Sequence, residues 1–167
     1  MKDNIILIGM PGAGKSTIGV ILAKTLGMDF LDSDLAICKE TGKTLQEILD
    51  AEGQQTFLEI EKQVILSLSP TKTVVATGGS VPLKKEAMEH LKKTGTVIYL
   101  KVPLQELEQR LSNIKTRGIA FGPGENLETL YNYRIPIYES WADLTIEMDP
   151  NRNDIENMVD QIVEELS

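Results

Sequence analysis

Short apolar runs alternate along this chain with longer stretches whose apolar residues recur at helical spacing. That alternation predicts a parallel sheet covered on both faces by helices. Ile5-Ile6-Leu7-Ile8 lies in a first strand over about residues 4–9. A helix over about Lys15–Leu26 follows, with Ile18, Ile21, Leu22 and Leu26 on one face and Gly27 where a C-cap belongs. A second strand is expected at Met28–Leu31, ending in Asp32-Ser33-Asp34. Two helical segments come next, the first capped by Ser33 or Asp34 and the second by a capping box of Thr44 with Glu47. Pro70 closes that region before a third strand at Lys72–Ala76, which runs into Thr77-Gly78-Gly79-Ser80. A helix over Leu83–Lys93 leads to a fourth strand at Thr96–Val102, and a further helix spans Pro103–Leu111. Ser112–Asn126 carries glycines and a proline with few periodic apolar residues, the pattern of a mobile lid. The remainder predicts a helix over Leu127–Trp141, bent at Pro136, and a fifth strand over Leu144–Met148. A terminal amphipathic helix capped by Asn153 or Asp154 ends the chain.

One loop stands out within this frame. Gly9-Met10-Pro11-Gly12-Ala13-Gly14-Lys15-Ser16 reads G-x-x-x-x-G-K-S between the first strand and the first helix. In that setting glycines let successive backbone N–H groups turn inward on a phosphate, and the helix N-terminus behind them adds donors and partial positive charge. Lys15 supplies a cation to the outer phosphates of a nucleoside triphosphate, and Ser16 with Asp32 can hold Mg²⁺. Ligands of such sheets lie beyond the carboxyl ends of the strands. There the loop meets Asp32-Ser33-Asp34 and Thr77-Gly78-Gly79-Ser80, and Asp34 is placed to accept a hydroxyl's proton or to orient that hydroxyl. Arg110 and Arg117 flank the start of the lid, from which an arginine can neutralise charge on the triphosphate. Arg134 sits in the otherwise apolar and aromatic run Tyr133-Arg134-Ile135-Pro136-Ile137-Tyr138. A guanidinium in such company binds an anion, either a substrate carboxylate or an internal Asp or Glu.

Composition narrows the classes further. The chain has 167 residues, enough for one domain with a core of its own, and 41% hydrophobic and 25% charged residues are ordinary for a globular protein. A net charge of −8 without any basic run argues against nucleic acid as a partner. Cys38 is a single cysteine, which excludes a disulfide framework and suits a reducing cytoplasm; it reads as a half-buried structural thiol. No signal peptide or membrane-length apolar stretch is expected, so the reading is a cytoplasmic protein with neither membrane nor nucleic acid as partner. His90, near Lys84-Lys85-Glu86, reads as a solvated residue, and Trp141 as packing.

Taken together in order, Gly9 to Thr17, Asp32-Ser33-Asp34, Glu52-Gly53 with Phe57 and Glu61, Thr77-Gly78-Gly79, Arg110, Arg117, and Tyr133 to Tyr138 resemble the shikimate kinase family over nearly the full length. The resemblance implies a three-layer α/β P-loop NTPase fold with sheet order 2-3-1-4-5. It would be a single domain over residues 1–167 with a lid at about 112–126, monomeric, using ATP with Mg²⁺ to phosphorylate a hydroxyl of shikimate or another small hydroxylated molecule. It implies nucleotide contacts at Gly12, Ala13, Gly14, Lys15, Ser16 and Thr17, with Arg110 near adenine and Arg117 brought from the lid. It implies a catalytic set of Asp34, Lys15 and Arg117, metal ligation by Ser16 and Asp32, and acceptor contacts at Asp34, Gly78, Gly79 and Arg134.

The chain departs from the family pattern at four positions. Leu58 stands where the family has a second carboxylate-binding arginine, Ser80 where a third glycine ends the run, Gln54 where an acidic residue follows Gly53, and Gly118 where a proline follows the lid arginine. Losing a bidentate arginine removes about 1.5–3 kcal/mol, roughly ten- to a hundredfold in affinity. It also leaves Glu61 without that cation, and an unpaired carboxylate would repel a substrate carboxylate or attract an ammonium group. A hydroxy amino acid such as homoserine is therefore the alternative acceptor. A nucleotide-binding regulatory domain or a nucleoside monophosphate kinase are the more distant alternatives.

Overall fold

The computed structural model describes residues 2–112, 124–152 and 155–167. Five strands form one parallel sheet: β1 (Asn4–Ile8), β2 (Asp29–Asp32), β3 (Thr73–Ala76), β4 (Gly95–Lys101) and β5 (Leu144–Glu147). Their order is β2-β3-β1-β4-β5, as the family resemblance implies. The three inner strands are apolar almost without alternation because both of their faces are covered. Residues 5–8 of β1, 74–76 of β3 and 97–100 of β4 are all buried. The edge strand β2 is only half buried and keeps its acidic ends, Asp29 and Asp32.

The helices are α1 (Lys15–Leu26), α2 (Ser33–Thr41), α3 (Leu45–Ser67), α4 (Lys85–Lys92), α5 (Leu104–Leu111), α6 (Leu127–Trp141) and α7 (Ile155–Leu166). α1 packs on β1, β2 and β3 and against α7, while α4 and α6 pack on β4 and α4 also meets α3. Gly27 caps α1 in the left-handed conformation expected of it, and Thr44 with Glu47 forms the anticipated capping box on α3. A 3-10 turn at Val81–Leu83 precedes α4. α6 runs through Pro136 as one continuous helix. The expected caps of α7, Asn153 and Asp154, lie outside the described residues.

The long α3 is two helices joined at Gly53, whose φ of 82° and ψ of 174° break the helical path. A side chain is strained at that φ, so the joint needs glycine. Beyond it, α3 turns Phe57 and Glu61, one helical turn apart, toward the sheet's carboxyl edge. The apolar interior has two parts, and neither is confined to one side of this joint. The main core surrounds the sheet, and a second cluster of Ile37, Ile48, Phe57, Leu58 and Val64 lies between α2 and α3.

Register brings the loops together. Asp32 of β2 and Leu7 of β1 both pair with Ala76 of β3, so the chain leaves three adjacent strands at one level. Thr77 then ties β3 to β1, donating to the Leu7 carbonyl through its N–H at 3.2 Å and its hydroxyl at 2.8 Å. Among the described residues, no helix is long and apolar enough to cross a membrane.

Candidate active site

A cavity of about 180 Å³ opens where the three loops meet, completed by Phe57 and Glu61 from α3 and Arg134 from α6. At one end is the glycine loop. Gly12 and Gly14 adopt φ of 85° and 94°, and Gly14 is the N-cap of α1, so the loop curls over the start of the helix. Lys15 is buried, and its Nζ donates to the Gly9 and Met10 carbonyls at 2.7 and 2.8 Å, which fixes the cation across the loop. Ala13 takes part through its backbone alone: its side chain is in the core and its N–H donates to the Met10 carbonyl at 3.1 Å. Thr17 is exposed.

Ser16 Oγ donates to Asp32 Oδ2 at 2.6 Å. The other oxygen of Asp32 accepts the N–H groups of Asp34 and Leu35 at 2.9 and 3.2 Å, so Asp32, and not Ser33 or Asp34, caps α2. Ser33 is buried instead and accepts the Gly78 N–H at 2.8 Å, which stitches the β2 and β3 loops together. Among the described residues, no group of three or more His, Cys, Asp or Glu gathers to hold a metal. The hydroxyl–carboxylate pair of Ser16 and Asp32 suits a cation that keeps several waters.

The other end is built from side chains. A Cβ on Gly78 would meet Asp34 Oδ1 at 2.6 Å and Glu61 Oε2 at 2.8 Å, so two carboxyl groups converge on the bare face of that glycine. At Gly79 a Cβ would meet Pro11 at 2.9 Å and Arg134 Nη1 at 3.2 Å. The Tyr138 hydroxyl donates to the Gly79 carbonyl at 2.7 Å, and burial pushes its pKa up to about 12. Arg134 is fully buried.

Glu61 is 1% exposed. Its Oε1 accepts the Ser80 hydroxyl at 2.6 Å, and its Oε2 has no hydrogen-bond partner among the described residues. Burial pushes its pKa up to about 8, with the nearby Asp34 adding to the rise and Ser80, Arg134 and Lys15 opposing it. Leu58, one position after Phe57, lies in the apolar cluster between α2 and α3. The carboxyl that was expected to stand bare is thus held by a serine, from the position where a glycine was expected. Ser80 was not singled out for this role. Its signal was present only as a pair of changes, Leu58 and Ser80, at positions far apart in sequence.

Arg110 lies against the glycine loop: its Nη1 donates to the Gly12 carbonyl at 3.0 Å and its Nε to Glu106 at 3.1 Å. Arg117, Gly118 and most of the expected lid lie outside the described residues. One further expectation changes. His90 is half-buried, with Nε2 2.6 Å from the Leu68 carbonyl, so it is a tether between α4 and the end of α3 and not a solvated residue. Trp141 packs on the core as expected and also donates from Nε1 to the Pro82 carbonyl at 3.2 Å.

Comparison with known proteins bears on this geometry. The family model for shikimate kinase matches residues 11–167. A shikimate kinase of Haemophilus influenzae is 41% identical over 98% of this chain and 92% of its own length, and one from Pasteurella multocida is 40% identical over 98% and 94%. Among solved structures, a shikimate kinase from Acinetobacter baumannii in complex with shikimate superposes with a TM-score of 0.88. It is 35% identical, covering 98% of this chain and 92% of that one.

Proposed function

The chain belongs to the shikimate kinase family, whose members are phosphotransferases acting on a hydroxyl group, and we propose that it transfers the γ-phosphoryl group of ATP to a hydroxyl of shikimate. The observation that carries this reading is the single cavity that joins a phosphate loop to Asp34, the Gly78-Gly79 backbone and Arg134. The loop amides and Lys15 receive the triphosphate, and Arg110, braced on Gly12, flanks it on the adenine side. Mg²⁺ fits the Ser16 hydroxyl and the Asp32 carboxylate and, when bound, neutralises charge on the phosphates. Arg117, from the lid, adds positive charge at the transferred group. Asp34 takes up the proton of the attacking hydroxyl or orients it, and the missing Cβ of Gly78 leaves room for the acceptor beside that carboxylate. Arg134 and the Gly79 N–H hold the acceptor's carboxylate. The protein works as a monomer in the cytoplasm, with small molecules as its only partners.

The homoserine alternative needs a negative charge to recruit an ammonium group, and Glu61 argues against it by being buried, bonded to Ser80 and inclined to keep its proton. The experiment is ADP release with ATP and Mg²⁺, comparing shikimate, homoserine and no acceptor. Shikimate-dependent turnover alone is expected. Turnover with homoserine in its place, or ADP release unaffected by any acceptor, would overturn the reading.

A further inference from the structure

Glu61 is a buried acid that the mechanism above does not use. It lines the cavity from α3, with Ser80 on one oxygen and nothing on the other among the described residues. The groups facing it come from every surrounding element: Asp34 from α2, Lys15 from α1, Arg134 and Tyr138 from α6, and Ser80 from the loop after β3. On its own helix, Phe57, Leu58 and Val64 are buried in the apolar cluster between α2 and α3, and Phe57 also lines the cavity. A carboxylate ionised in this position would place a negative charge beside Asp34, in the half of the cavity meant for an anionic acceptor.

We propose that Glu61 is a positioning residue that determines acceptor specificity as a neutral acid, its carboxyl held by Ser80, so that the acceptor end of the cavity receives a carboxylate only while Glu61 carries its proton. The inference rests on the reading of shikimate as acceptor. With the Ser80 hydroxyl donating to Oε1, the acid's proton belongs on Oε2. No donor reaches that buried oxygen among the described residues, so a negative charge there would go unsatisfied and the neutral form is favoured. Raising the pH removes that proton, and the new charge repels the carboxylate of shikimate, which is ionised throughout the range concerned. With the acid titrating at about 8, KM for shikimate rises about tenfold between pH 7 and pH 9. A merely structural glutamate would leave that profile flat.

The test measures KM for shikimate and kcat from pH 6.5 to 9.5 in the native chain and in Glu61→Gln, which keeps the shape and cannot ionise. The expected result is a rise in KM through pH 8 in the native chain, with kcat changing far less, and a flat KM in Glu61→Gln. A flat native profile, or an equal rise in Glu61→Gln, overturns the proposal. Infrared difference spectra between the two proteins give a second reading that needs no turnover. A protonated carboxyl band assigned to Glu61 at pH 7 and lost by pH 9.5 supports the proposal, and a carboxylate band at pH 7 overturns it. Absence of shikimate turnover in both proteins at every pH would refute the proposed function, while the infrared reading would still decide the protonation state of Glu61. Should Glu61→Gln fail to fold, the native pH profile decides alone.

Discussion

The two ends of the cavity are made of different material. The phosphate end is backbone: Gly12 and Gly14 in left-handed conformations, a helix start, and one lysine pinned by two carbonyls. The acceptor end is side chain: Asp34, Glu61, Ser80 and Arg134 brought from four separate segments and kept in place by one another. A backbone cradle depends on conformation, and glycine spacing dictates it locally. A side-chain pocket depends on contacts between distant residues, so a change at one position can be answered by a change at another. Leu58 and Ser80 are such a pair, the first removing the expected cation and the second supplying a hydrogen bond to the acid.

The sharpest way to break the comparison is to attack one end and read the other. Asp34→Asn removes the group that handles the acceptor's proton and is expected to lower kcat by about 10²–10⁴, with KM for ATP little changed. A comparable loss of ATP affinity would mean that the two ends are not separate. Gly78→Ala puts a methyl group where Asp34 and Glu61 converge and is expected to cost about 10² in kcat/KM for shikimate, again sparing ATP binding as measured by equilibrium titration. Ser80→Ala leaves the buried Glu61 Oε1 without its donor. A stability loss of about 1–3 kcal/mol in urea unfolding is expected, together with a higher KM for shikimate.

The last prediction concerns stability against pH. Glu61 has a folded pKa of about 8, above its ordinary value of 4.5, so the unfolded chain gives up this proton first. Its contribution is therefore fully present below about pH 4.5 and is lost as pH climbs to about 8. Glu61→Gln should gain in melting temperature relative to the native chain over that window, by roughly 10–20 °C, and the gap should stop widening above pH 8. A constant gap across the window would mean that Glu61 is ionised in the fold.

The legibility of these features in the sequence follows the same division. The strand order, the glycine loop, the α3 capping box and the Gly27 cap are local patterns or follow from family resemblance, and the structure bears them out. Asp32 was read for its chemistry but not as the cap of α2, because three consecutive cap-forming residues, Asp32-Ser33-Asp34, compete for that position. His90 was taken for a surface residue because its own helix face looked polar, and its partner, the Leu68 carbonyl, is 22 positions away. The Ser80–Glu61 bond spans 19 residues and two elements. Nothing periodic in the chain announces a contact of that kind.

The break in α3 at Gly53 has a consequence for how this protein can change over generations. Ile48 from one side of the joint and Phe57, Leu58 and Val64 from the other share a small apolar cluster apart from the large core, which Ile65 joins, and the joint lets Phe57 and Glu61 reach the acceptor end of the cavity. Substitutions in unconnected clusters tend to act independently. A change at Leu58, inside the small cluster, can therefore leave the glycine loop as it is, whereas a change at Glu61 is felt by Ser80, Arg134 and Lys15. The acceptor end is thus expected to change through linked substitutions, such as those at 58 and 80, and not through exchange of one segment, because Ser33, Ile65 and Glu61 are each tied to other parts of the fold.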